Sequence, residues 1–139
     1  MSSSPLILEG TPAGNDLDIQ RDVPGISPTD PVVLAWLTIK ERMSDTDLLA
    51  ALQKQITTTL VGGVGHIAQD GGVSSGNGTA SLYFQLTKAQ TTALGWSKRF
   101  YWDIKVLTGQ GKEFTTVDPD TGRTVGRLLF RRPVRQGGS

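Results

Sequence analysis

Arg99-Phe-Tyr-Trp-Asp-Ile-Lys-Val-Leu-Thr108 alternates residue by residue between two kinds of side chain. Phe100, Trp102, Ile104 and Val106 fall on one side of a period of two, and Tyr101, Asp103 and Lys105 on the other. That period, in β-branched and aromatic residues, specifies a strand with one face in a core and one facing out. On its C-terminal side Gly109 to Lys112 predicts a hairpin turn and Glu113 to Val117 the returning strand. Asp118-Pro-Asp-Thr-Gly122 then has the residues of an ordinary turn, and Arg123 to Phe130 reads as the last strand. On the N-terminal side Thr79 to Leu86 alternates in the same way, with Ala80, Leu82, Phe84 and Leu86 on one face. Between the two strands, Thr87 caps a helical turn that Gly95 ends.

Further upstream, Val32 to Lys40 is another β-rich run, apolar on both faces at its start, which places it inside a sheet. Trp36 lies on the opposite face of this strand from Ala35, Leu37 and Ile39. Ser44, Asp45 and Asp47 suit a helix N-terminus, and Leu48, Leu49 and Leu52 form an apolar stripe, so a short helix is expected from about Asp45 to Gln55. Ile56 to Val61 is β-prone, Gly62-Gly-Val-Gly65 predicts a tight turn, and His66 to Gly72 a short strand. Val73 to Gly78 reads as a polar loop. Five prolines up to Pro31 make the start extended or looped, with Leu6 to Glu9 and Asp16 to Gln20 as its strand candidates. The sum is an antiparallel β-sandwich or barrel with one or two short helices and extended termini. The boundaries expected are an N-terminal arm over 1–15, a sandwich over 16–134 and a flexible tail over 135–139.

Composition narrows the chemistry. With 139 residues there is room for one domain. Lys and Arg total 14 against 13 Asp and Glu, a formal charge of +1, whereas a protein built to neutralise many phosphates shows a clear basic excess. The charge balance therefore argues against nucleic acid as a partner. No Cys is present, which removes disulfides and thiolate metal sites. No apolar run approaches the roughly 20 residues of a membrane-spanning helix, and the first residues lack the features of a secretory signal. A protein made and used inside a cell, or in something assembled there, is expected.

No reactive constellation stands out. The single histidine, His66, has no Gly-x-Ser-x-Gly elbow to serve it, and zinc sites want several His or Cys ligands. Gly62-Gly-Val-Gly65 lacks the Gly-Lys-Ser/Thr ending of a phosphate loop. Asp118, Asp120 and Gly122 echo a calcium loop, but Pro119 and the missing closing Glu favour a turn. The pairs Asp16 with Asp18 and Asp45 with Asp47 have structural reasons in a strand and a helix cap. These observations give no catalytic, cofactor-binding or metal residues, and no enzyme. Candidate interface residues are Trp36 and Trp96, as aromatic anchors, and the basic Arg131, Arg132 and Arg135.

Three segments also carry a family likeness. Ala35-Trp-Leu-Thr-Ile-Lys40 running into Ser44-Asp-Thr-Asp-Leu-Leu-Ala-Ala-Leu-Gln-Lys54, then Ala80-Ser-Leu-Tyr-Phe-Gln-Leu-Thr87, then Phe100-Tyr-Trp-Asp-Ile-Lys-Val106, resemble the small immunoglobulin-like virion proteins of tailed bacteriophages related to the N-terminal domain of upper baseplate proteins. The likeness spans roughly Asp16 to Val134, and its motifs are packing motifs. The resemblance implies an immunoglobulin-like β-sandwich in a virion, in the tail, baseplate or head decoration. It implies other virion proteins and copies of this chain as partners, with no cofactor, small-molecule substrate or membrane. It carries over no catalytic residue. The Pro-rich start and the basic, Gly-ending tail depart from the pattern. The alternative function is a surface-recognition module binding host glycan or protein through exposed tryptophans.

Overall fold

The computed structural model describes residues 7–12, 16–42, 50–95 and 99–131. The strand of alternating residues, β7 (Arg99–Thr108), is the hub. One edge of it pairs antiparallel with β3 (Val32–Lys40) from Val32 to Lys40, with one irregularity between Val32 and Leu34. The other edge is shared by two short strands, β8 (Glu113–Thr115) along Lys105 to Leu107 and β9 (Gly126–Arg131) along Arg99 to Trp102. Beyond β3 lies β4 (Leu52–Ile56), and β1 (Ile7–Pro12) joins β9 in parallel. The result is a six-stranded sheet in the order β1-β9-β7-β3-β4, with β8 beside β7. A second, three-stranded sheet is built from β2 (Leu17–Pro24), β6 (Ser75–Leu86) and β5 (Gly65–Gly72), with β6 in the middle.

The two sheets bury their apolar rows against each other. Ile19, Val23, Leu82, Phe84 and Leu86 from one sheet, and Leu37, Ile39, Phe100, Ile104 and Val106 from the other, are each at most 3% exposed. Fully burying such a side chain is worth about 1.5–3 kcal/mol, so these rows fix which face of each strand points inward. Helix α1 (Lys88–Leu94) spans the connection from β6 to β7. As expected, Thr87 is its cap: the Thr87 hydroxyl accepts from the Gln90 N–H, and the Gln90 side chain accepts from the Thr87 N–H.

The connection from β4 to β5 runs along the side of the sandwich. The Ile67 N–H donates to the Thr57 carbonyl, and Val61 bridges Gly65, so the outer edge of β5 is covered by this segment. Gly62 to Gly65 is a tight turn, as its composition predicts. Gly65 sits at φ +121°, and a Cβ there would collide with the Tyr83 backbone carbonyl, so a side chain is excluded at this point.

Two expectations are corrected. The helix expected to Gln55 is a strand from Leu52 onward; Met43 to Leu49 lie outside the described residues. Leu52, Lys54 and Ile56 turn inward and Gln53 and Gln55 outward, a period of two, because the free edge of β3 supplies hydrogen bonds that outweigh the helix propensity of Leu, Gln and Lys. The loop expected over Val73 to Gly78 is a turn followed by the start of β6, which begins at Ser75 and pairs with Gly72 through an irregular register. Within the stretch read as an arm, Ile7–Pro12 is an edge strand of the larger sheet, where Leu6 to Glu9 is a strand candidate. The tail over 135–139 lies outside the described residues.

Candidate interaction faces

Strand register dictates what each sheet shows to the outside. On the outer side of the six-stranded sheet Trp36 stands opposite Lys105 and Gln55, Thr38, itself buried by its neighbours, opposite Asp103 and Gln53, and Lys40 opposite Tyr101. Arg127 continues the row from Tyr101, Glu113 the row from Leu107, and Leu129 the row from Arg99. Cross-strand hydrogen bonds tie this surface down. Trp36 Nε1 donates to Gln55 Oε1 at 2.9 Å, and Gln53 Nε2 donates to Thr38 Oγ1 at 3.0 Å. The Trp36 ring is half-buried, an amphipathic aromatic of the kind that anchors protein interfaces.

The three-stranded sheet shows a different face. Asp18 lies opposite Gln85, Gln20 opposite Tyr83, and Asp22 opposite Ser81, with His66 and Gln69 beyond them on β5. Ser81 donates to Asp22 Oδ1 at 3.1 Å, and the His66 and Tyr83 rings stack with centroids 5.7 Å apart. His66 is therefore a strand residue paired with an aromatic neighbour across the sheet, and no serine or carboxylate hydrogen bond to it is present among the described contacts.

The two strongest electrostatic features are inside. Arg21 is 2% exposed and points from β2 into the core, where its Cζ lies 5.3 Å from the centroid of the Trp102 ring. Its Nη1 donates to Thr116 Oγ1 at 3.0 Å, and Thr116 Oγ1 donates to the Ile104 carbonyl at 2.9 Å. Burial lowers the Arg21 pKa from its ordinary value, and the charge of Asp118 opposes that shift. Asp118 is itself buried and accepts from the Asp120 N–H and the Thr121 hydroxyl, so the calcium-like motif is a turn closed by its own carboxylate.

Among the described residues, Lys54 is the other buried cation. Its Nζ donates to the Gly63 carbonyl at 2.7 Å, which anchors the Gly62–Gly65 turn to β4. Burial lowers its pKa from 10.5. The unfolded chain then holds this proton at higher pH than the folded one, so stability rises with pH between the folded pKa and 10.5, and is flat below that window. Urea midpoints measured from neutral pH toward about pH 10 should climb by more in the parent protein than in Lys54→Met, because the exposed lysines are common to both. Equal slopes would show that Lys54 carries no such linkage.

Of the expected interface residues, only Trp36 has a described side chain. Arg131 is the last residue of β9 and pairs with Pro12 through the backbone; Trp96, Arg132 and Arg135 lie outside the described residues. A hollow of about 170 Å³ near Leu52, Leu94, Phe100 and Glu41 is smaller than the roughly 300–1,000 Å³ of small-molecule sites. Among the described residues no three His, Asp or Glu gather as metal ligands, and no helix is long and apolar enough to cross a membrane. No known family model matches the chain, and no curated protein matches it.

Proposed function

We propose that this protein is a structural component of a tailed-bacteriophage virion, in the tail, the baseplate or the head decoration, and that it works through contacts with other virion proteins. One observation carries the reading. Two of the three segments behind the family resemblance are direct partners in register, Trp36 with Lys105, Thr38 with Asp103 and Lys40 with Tyr101, and Trp36, Lys40, Tyr101 and Lys105 form a half-buried surface around the buried Thr38. A patch of aromatic, amide and charged groups held by cross-strand bonds suits a protein interface better than a reaction centre. The strand order adds support. Two antiparallel-rich sheets packed face to face, β9-β7-β3-β4 over β2-β6-β5, are the kind of arrangement that the proposed immunoglobulin-like sandwich requires. Particles assembled without this protein and viewed by negative-stain microscopy should be incomplete or misassembled. Unchanged morphology and infectivity would count against the proposal.

The surface-recognition alternative draws on the half-buried Trp36 ring beside Gln55, an aromatic and an amide side by side. Glycan-array binding that disappears in Trp36→Ala would favour it over the structural role.

A further inference from the structure

The formal charge of +1 conceals a separation of charge between the two outer surfaces. Outward positions of the three-stranded sheet, among the described residues, are Asp18, Gln20 and Asp22 on β2, Ser81, Tyr83 and Gln85 on β6, and His66 and Gln69 on β5. Asp16, exposed just before β2, adds a third carboxylate, and none of these positions is Lys or Arg. Among the outward positions of the six-stranded sheet whose side chains are described, Lys40, Arg99, Lys105 and Arg127 outnumber Asp103 and Glu113 by four to two. The only cation that β2 carries, Arg21, is turned inward against Trp102 and contributes nothing to the acidic surface.

We infer that the acidic face of the three-stranded sheet docks on the basic, Trp36-bearing face of the six-stranded sheet of a second copy, so that sandwiches stack face to back. Each surface supplies the charge that the other lacks, and both sit on hydrogen-bonded strands that need no rearrangement to meet. An interface between two different patches is heterologous. It leaves one free face at each end of a pair and propagates into a ring or a stack, as a repeating particle component requires. Exposed ion pairs are individually weak and screened by salt, so the contact is reversible and strengthens when copies are held together in an array. The partner named here deepens the structural reading and rests on it for its setting, while the contact itself is a property of the isolated protein.

Sedimentation velocity on the purified full chain tests it. Reversible self-association is expected at low ionic strength, weakened about tenfold or more in high salt. Asp18→Lys with Asp22→Lys should abolish it, and so should Arg99→Glu with Arg127→Glu, circular dichroism confirming that both variants are folded. Mixing these two variants should restore association, because each then offers the charge that the other has lost. A monomer at every concentration, an oligomer indifferent to salt and to both reversals, or a mixture that stays monomeric overturns the inference. The structural reading fails by a different result, particles that are unchanged when the protein is missing.

Discussion

Trp102→Ala should lower stability by about 3–5 kcal/mol, a large share of the roughly 5–15 kcal/mol that holds a domain of this size together. Trp102 is among the largest fully buried side chains, at 1% exposure. Its ring lies against Gly126 of β9, where a Cβ would collide with it, and under the Arg21 guanidinium from the other sheet. Removing the indole therefore opens a cavity where both sheets meet and strips Arg21 of the ring that faces it. Trp102 Nε1 finds no hydrogen-bond partner among the described residues, so the indole N–H contributes nothing that a hydrocarbon ring lacks. Trp102→Phe keeps an aromatic face and should lose less than half as much. Urea denaturation compares the three proteins directly. A Trp102→Ala loss under 1 kcal/mol would mean that the ring is not the packing centre described here.

Arg21→Ala should be comparably damaging, and for a different reason. The substitution empties the space over the Trp102 ring, leaves Thr116 without its donor and removes a positive charge that the buried Asp118 senses; truncating a long buried side chain of this kind costs about 2–5 kcal/mol. Taking charge out of both positions is another matter. Arg21→Met with Asp118→Asn fills the space with a flexible apolar chain and keeps an acceptor for the Asp120 N–H, and it should return to within about 1–2 kcal/mol of the parent. A double-mutant cycle separates the coupling from the two single losses. Additive losses would show that Arg21 and Asp118 do not sense each other.

These two residues also show what the sequence makes legible. Trp102 belongs to a clean period of two, and alternation alone places it in the core. Arg21 continues the inward row of Leu17 and Ile19, but a charged residue inside a core is not expected from pattern; its partner Thr116 is 95 positions away, just past the end of β8 in the opposite sheet. The helix α1 and its cap are local chemistry and are read correctly from Thr87 and Gly95. Strand β4 is not, because Leu52-Gln-Lys-Gln55 consists of good helix formers and only the open edge of β3 makes it a strand. The faces proposed as interaction surfaces are half legible. Alternation places Asp18, Lys40 and Lys105 on the outward side of their strands, whereas Asp22 lies past the stretch that the sequence marks as a strand. Which sheet each belongs to, and hence the separation of acid from base, depends on pairing between strands far apart in the chain.

Quantitative mass spectrometry of purified particles addresses the proposed role most directly. The account predicts that this chain co-purifies with intact virions in a fixed ratio to the other particle proteins, as a component placed by repeated contacts must. Absence from purified particles, with the protein left in the soluble lysate, would contradict it.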